Sequence, residues 1–251
     1  LIVHPWEAVG EGRLAEVPVL ATLGGFDGVH RGHQALLDQV VGGTAAPSSL
    51  VVTFRVNPKR ILNPDYPGDL MTWDEKVTRI EASGVQHLVV IDFSLEFGRI
   101  SARDFFLALR KSFVLSRLVL GERFSFGSDR VHTATEIGRL TDPETQLSLV
   151  PPVTFEGLTV SSSAIRKALV DGNLRLAQSL LGHPYAIPVA RHGPWNVGRY
   201  TVGRTLVGKL LPPPGTYPVT VDGRTTELLV TEDSLSWESP PGIRFQEIVF
   251  V

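Results

Sequence analysis

At 251 residues the chain can bury a core large enough for one big domain or two modest ones, and 43% hydrophobic with 20% charged residues argues against disorder. A formal net charge of −2 excludes the global basic field that draws a protein to nucleic acid, while leaving a local anion pocket open. The absence of cysteine excludes disulfides and thiol catalysis and suits a reducing compartment. No stretch reaches the about 18 uninterrupted apolar residues of a spanning helix. Leu1–Gly10 lacks the basic and apolar regions of a signal peptide, so a cytoplasmic location without a membrane partner is expected.

Val17–Leu23 is an apolar run of strand length. Gly24, Gly25 and Gly28 follow it, where the backbone can bend sharply and come close to a ligand. Beyond Gly32 the pattern turns helical, with Leu36, Leu37, Val40 and Val41 at three- and four-residue spacing. A strand, a Gly-rich loop and a helix in that order present backbone N–H groups where phosphate binds well. His30 and His33, three apart, would share one face where the first helical turn includes both, and would donate to phosphate oxygens with partial or full positive charge near neutral pH. A bare pair of this kind also fits exposed or helix-capping histidines. Zinc is the weaker option, because no cysteine and no second ligand cluster accompany the pair. The dinucleotide fingerprint G-x-G-x-x-G is not spelled here.

After a small-residue loop, Leu50–Phe54 reads as a second buried strand. Strand, helix, strand points to a parallel α/β sheet with right-handed crossovers. Ligands in such sheets sit beyond the carboxyl ends of the strands, so Arg55–Pro58 should line the crevice of His30 and His33. A plain turn, punctuated by Pro58 and Asn63-Pro64, is the other reading.

Met71–Gly84 is an amphipathic helix, with Thr72 and Glu75 spaced as a capping box and Gly84 as its stop. His87–Phe93 is a third strand, Ser101–Leu115 a helix that turns Phe105 and Leu109 to the core, and Leu118–Leu120 a fourth strand. Phe124 and Phe126 then alternate on an extended turn, which puts both rings on one side, and Arg123 and Arg130 are phosphate contacts or solvated charges. Leu147–Pro151 and Phe155–Val160 read as short strands. Ser161–Ser163 supply N-cap hydroxyls for a helix striped by Ile165, Ala168 and Leu169, and Arg166 lies near enough to its start to join an anion site. A second helix, Leu174–Leu181, ends at Gly182 and Pro184.

After Pro188 helical periodicity gives way to alternating stretches, Thr216–Val221, Thr225–Val230 and Arg244–Val251. They read as a small antiparallel barrel or sheet. Pro212–Pro214 fits a tight connection better than a polyproline ligand.

GGFDGVHRGH, from Gly24 to His33, resembles the G-x-F-D-G-x-H-x-G-H signature of the bacterial FAD synthetase family, a branch of the HxGH nucleotidylyltransferases. SSSAIR, ending at Arg166, resembles the family's S-S-T-x-I-R, and LLGHPY its L-L-G-R-P-Y. Two segments depart from the pattern. TFRVNP stands where the family resembles T-F-x-P-H-P, so Val56 and Asn57 replace Pro and His. GERFSFG matches G-x-D/N-F-x-F-G at Gly121, Phe124, Phe126 and Gly127, and Arg130 matches beyond it, but Arg123 replaces Asp or Asn.

The resemblance, over Val17–Tyr185, implies a Rossmann-like parallel-sheet nucleotidylyltransferase domain at 1–186. A small antiparallel β-barrel-like domain at 187–251 follows, similar to a truncated riboflavin kinase barrel. No G-x-P-T-A-N segment follows Arg204 and the distal kinase elements are not found, so the barrel is expected to be non-catalytic. The implied reaction transfers AMP from ATP to FMN, giving FAD and pyrophosphate. It assigns ATP to Gly24, Gly25, Phe26, His30, His33, Gly121, Ser162 and Arg166, with His30, His33, Ser162 and Arg166 as the catalytic set. It assigns flavin to Phe54, Asn57, Pro58, Arg123, Phe124 and Phe126, although core packing competes for the two last rings. Asp27 would cap the helix or orient the loop. Mg²⁺ is expected through phosphate oxygens, with no protein metal site. An adenylyltransferase for another phosphorylated acceptor, a flavin or nucleotide binder without catalysis, and a bifunctional enzyme that also phosphorylates riboflavin are the alternatives.

Overall fold

The computed structural model describes residues 1–41, 48–126, 132–188, 198–221, 223–238 and 247–251. Two compact units emerge: Leu1–Tyr66 with Trp73–Thr159, and Pro67–Thr72 with Val160–Val251. The compositional break at Pro188 falls inside the second unit, whose helices group with the strands that follow them.

In the first unit the elements are β1 (Ile2–Pro5), β2 (Val19–Leu23), α1 (Arg31–Val41), β3 (Ser48–Phe54), α2 (Lys59–Leu62), α3 (Trp73–Ala82), β4 (His87–Ile91), α4 (Ala102–Ser112) and β5 (Leu115–Gly121). The short pieces β6 (Ser125–Phe126), β7 (His132–Thr133) and α5 (Ala134–Gly138) follow, then β8 (Gln146–Val150), β9 (Thr154–Phe155) and β10 (Leu158–Thr159). Six strands form one sheet in the order β1-β4-β3-β2-β5-β8, every neighbouring pair parallel. This is the expected α/β architecture. β2 and β4 are buried at every residue, which explains why they read as unbroken apolar runs rather than alternating ones.

Helix α1 buries Leu36, Leu37 and Val40, and α4 buries Phe105, Phe106 and Leu109 in the cluster that includes Val19, Leu50, Val89 and Leu118. The Ser101 hydroxyl caps α4 by accepting the Asp104 N–H at 3.0 Å. That helix stops at Ser112, short of the predicted Leu115, because Phe113 is already extended and buried ahead of β5.

The predicted single strand Phe155–Val160 is instead the hairpin β9–β10, with Phe155 opposite Leu158. Glu156 and Gly157 turn it at φ +48° and +80°, the two positive values that a two-residue hairpin turn requires. The four-residue edge strand β1 was not anticipated; Ile2 and Val3 are exposed and give it no buried pattern to read.

The order of the sheet places its switch point at β2. From β2 the chain moves to β3 on one side and later to β5 on the other, so the Gly-rich loop leaves β2 between two diverging crossovers. Crevices of this kind, at the carboxyl ends of the strands, are where open α/β sheets bind ligands.

The second unit begins with α6 (Ser162–Val170) and α7 (Leu174–Leu181), the latter ending at left-handed Gly182. Its strands are β11 (Ala186–Pro188), β12 (Arg199–Gly203), β13 (Gly215–Val221), β14 (Arg224–Val230), β15 (Ser234–Glu238) and β16 (Glu247–Phe250). They make an antiparallel sheet in the order β11-β16-β13-β14-β15-β12, as the alternating pattern predicts. Val219 and Val221 of β13 and Leu228 and Val230 of β14 point to one face by period two, and Trp237 and Tyr200 stack at 5.7 Å. Residues 244–246 of the predicted last strand lie outside the described residues. Pro212–Pro214 lead directly into β13, and the Tyr217 hydroxyl donates to the Pro213 carbonyl at 2.7 Å.

Candidate active site

The loop after β2 is clamped from below. The Gly24 N–H donates to the Val52 carbonyl at 3.1 Å, which continues the β2–β3 ladder one residue past the strand. The Gly25 carbonyl accepts from the Thr53 hydroxyl at 3.2 Å and from Nζ of Lys76 at 3.0 Å, and Lys76 also donates to the Phe54 carbonyl at 2.8 Å. Phe26, Asp27 and Val29 are buried. Phe26, Gly28 and Val29 take φ values of +45°, +87° and +35°, and a turn closes with the Val29 N–H donating to the Phe26 carbonyl at 3.2 Å. Left-handed backbone at a phenylalanine and a β-branched residue costs about 1–3 kcal/mol each and survives only where the surroundings over-determine it.

His30 stands immediately before α1, and its Nδ1 accepts the backbone N–H of His33 at 3.3 Å, so the imidazole caps the helix. An accepting Nδ1 carries no proton, which puts the hydrogen of the neutral ring on Nε2. The two rings stack with centroids 3.7 Å apart, and the Phe26 ring lies 4.9 Å from that of His33. Burial, then His30, then Lys76 hold the His33 pKa well below the ordinary 6.5. This direction favours the neutral ring of His33 over the positive charge expected near neutral pH. Its Nδ1 is sealed from solvent with no hydrogen-bond partner among the described residues.

Beside the pair lies an acidic anchor. Oδ2 of Asp27, a residue only 3% exposed, accepts from Asn57 Nδ2 at 3.4 Å and from the Tyr66 hydroxyl at 3.2 Å. Asn57 Oδ1 accepts the Lys59 N–H at 3.1 Å and so also holds the start of α2, just past Pro58. Of Arg55–Pro58, Asn57 is joined to the Gly-rich loop through Asp27. Arg55 turns away to Asp92, with Nε at 2.7 Å from Oδ1, and lies over the Trp73 ring. The Phe54 ring meets Phe93 and Phe97 edge-on.

Among the described residues a Cβ on Gly25 or Gly121 would meet nothing within 4 Å, so the backbone at both predicted ATP positions borders open space there. Arg123 is exposed. Phe124 and Phe126 both pack against the core cluster, Phe126 at 4.8 Å from Phe105, as alternation on an extended segment predicts. Gly127 and Arg130 lie outside the described residues.

In the second unit the Ser161 hydroxyl caps α6 by accepting the Ala164 N–H at 3.2 Å, leaving Ser162 as the first helical residue. Arg166 is 6% exposed, and its Nε donates to the Gly68 carbonyl at 2.8 Å.

Lys76 and Tyr66 were not singled out from the sequence. Lys76 sits four residues before buried Ile80 on α3, a lysine on an apolar helix face, and that misplacement is the signal that could have found it. Among the described residues no three or more His, Asp or Glu gather into a metal site, and no helix is long and apolar enough to cross a membrane.

The family described as FAD synthetase matches residues 14–164. The bifunctional riboflavin kinase/FMN adenylyltransferase of Escherichia coli (strain K12) is 35% identical over 172 residues, which cover 66% of this chain and 55% of that enzyme. The protein of the same name from Bacillus subtilis (strain 168) is 30% identical over 227 residues, covering 87% of this chain and 71% of the other. Among solved structures, the macrolide-efflux protein from Streptococcus pneumoniae superposes with a TM-score of 0.78 at 25% identity, covering 100% of this chain and 89% of that one. The chain thus spans about half the length, 55%, of curated relatives such as the Escherichia coli enzyme.

Proposed function

The chain belongs to the FAD synthetase family, and from that premise we propose that it transfers AMP from ATP to FMN, releasing FAD and pyrophosphate. The observation that carries the proposal is the stacked His30–His33 pair at the start of α1, behind a strained Gly-rich loop at the switch point of a parallel sheet.

An oxygen of the FMN phosphate forms a bond to the α-phosphorus of ATP while the bond from that phosphorus to the pyrophosphate oxygen breaks. No protein nucleophile takes part, and the chain contributes alignment and charge stabilisation. His30, with its proton on Nε2, and His33 donate to the triphosphate. Gly24, Gly25 and Phe26 supply backbone to the same phosphates, and Gly121 leaves room for the nucleotide. Ser162 and Arg166 hold the phosphates as well; this assignment rests on the SSSAIR spelling and on the forked donors of a guanidinium. Phe54, Asn57, Pro58, Arg123, Phe124 and Phe126 form the flavin side. Mg²⁺ would accompany ATP, bound mainly through phosphate oxygens, and would supply charge screening there.

Residues 1–186 carry this reaction in the cytoplasm on small-molecule substrates, without nucleic acid. Residues 187–251 are a non-catalytic barrel related to riboflavin kinase. The test is chromatography of purified protein incubated with ATP, Mg²⁺ and either FMN or riboflavin. FAD from FMN and no product from riboflavin is the expected result. Product from riboflavin would restore the kinase, and no product from either would point to another acceptor or to a binder.

A further inference from the structure

Lys76 is 3% exposed on α3, and an apolar residue there would satisfy the fold without the cost of burying an ammonium. Two carbonyls converge on it instead, Gly25 at 3.0 Å and Phe54 at 2.8 Å. They belong to the residues that end adjacent strands, just past β2 and at the close of β3, so one side chain ties together the two strand ends from which the site is built. The Trp73 ring lies 5.9 Å from the same nitrogen.

The direction of the Gly25 carbonyl has a geometric consequence. A trans peptide is planar, with its C=O and the following N–H pointing opposite ways. Lys76 and the Thr53 hydroxyl draw the Gly25 oxygen inward, which turns the Phe26 N–H outward, away from the ammonium. Gly25 has open space where a Cβ would stand, so a ligand can approach this peptide closely.

We infer that Lys76 is a positioning residue for the phosphate site, fixing the Gly25–Phe26 peptide so that its N–H faces the triphosphate. The inference rests on the reading of this loop as the ATP site. Lys76 acts through the loop and never touches the substrate. Its charge also reaches His33, on which burial and His30 act in the same direction.

Three measurements test the role. Calorimetric titration with MgATP should show at least tenfold weaker binding in Lys76→Met, with part of the loss recovered in Lys76→Arg, which keeps charge and donors. The ring signals of His33 in NMR should titrate nearer 6.5 in Lys76→Met and stay depressed in Lys76→Arg, the contrast between the two variants reporting the lost charge. The wild-type protein should give a slowly exchanging ¹⁵Nζ signal for Lys76, as a buried, hydrogen-bonded ammonium does; this readout stands even if Lys76→Met does not fold. Unchanged MgATP affinity with an unchanged His33 titration in folded Lys76→Met overturns the inference, and so does a fast-exchanging Nζ in the wild type. If wild-type protein binds MgATP but makes no FAD, the reaction assignment falls while these three results still decide the role of Lys76.

Discussion

The backbone N–H of His33 donates to Nδ1 of His30 at 3.3 Å while the two rings stack at 3.7 Å, so one histidine caps the helix that carries the other. Capping and the proposed phosphate contact use different nitrogens of His30, and substitution can separate them. His30→Asn retains a side chain that caps well, and its unfolding free energy should stay near that of the wild type. His30→Ala should lose about 1 kcal/mol. Both should lose FAD synthesis, because neither keeps the donor at Nε2. Urea unfolding beside turnover checks this, and an active His30→Asn would remove His30 from catalysis.

Three histidines make stability depend on pH in one direction. His33 is held well below 6.5 by burial, then His30 and Lys76, and His4 is lowered by burial and then His87. His87 is lowered chiefly by burial, and a 3.0 Å hydrogen bond joins it to His4. Near pH 6.5 the unfolded chain takes up protons that the folded chain does not, so the stabilisation is complete above that pH and is lost as pH falls towards the folded values. The thermal midpoint should drop between pH 7 and 5, and by less in His33→Asn. An identical drop in that variant would show that His33 does not titrate as its surroundings require.

Asn57 stands where a histidine is usual in the resemblance, and both ends of its amide are used, towards Asp27 and towards the Lys59 N–H. Asn57→Ala removes a donor from a buried carboxylate and the side-chain acceptor of the Lys59 N–H, which should cost about 1–2 kcal/mol in urea unfolding. It should also raise KM for FMN more than KM for ATP. Unchanged stability would mean that the amide contributes nothing to the loop it bridges.

How far the sequence reached into this site follows from how local each feature is. The strand, loop and helix around Gly24–His33 were legible because composition and period change within a few residues. The spacing of three suggested a shared face, but the stacking of the rings, with His30 just outside α1, was not legible. The charge state of His33 was not legible, because it depends on the Phe26 ring folded back by a left-handed backbone and on Lys76, which arrives from another helix. Lys76 itself read as one more polar residue of an amphipathic helix, since periodicity does not say where a long side chain ends. The β9–β10 hairpin was missed because Phe155–Val160 was read as one short strand, although Glu156-Gly157 marks the turn.

Arg166 already spends Nε on the Gly68 carbonyl in a buried position. Arg166→Lys keeps a charge but cannot hold that carbonyl and a phosphate as one planar fork. A charge-assisted hydrogen bond is worth about 1.5–3 kcal/mol, so kcat/KM for ATP should fall about ten- to hundredfold, with a smaller change for FMN. Initial rates at varied ATP measure this, and an unchanged ATP dependence would take Arg166 out of the phosphate site.

Gly25 gives the sharpest separation of fold from function. A Cβ there meets nothing within 4 Å, whereas one on Gly24 would come within 3.2 Å of the Phe26 ring. Gly25→Ala should therefore leave unfolding within about 0.5 kcal/mol of the wild type, as a substitution without steric conflict does. If the open space beside Gly25 is where the triphosphate lies, the added methyl displaces it, and a displacement of about 1 Å is enough to cost about a hundredfold in rate. Gly24→Ala should instead lose stability as the Phe26 ring is pushed from its buried seat. A Gly25→Ala protein with wild-type stability and wild-type kcat/KM for ATP would show that the nucleotide does not approach this peptide, and the phosphate site would have to be sought elsewhere along the carboxyl ends of the sheet.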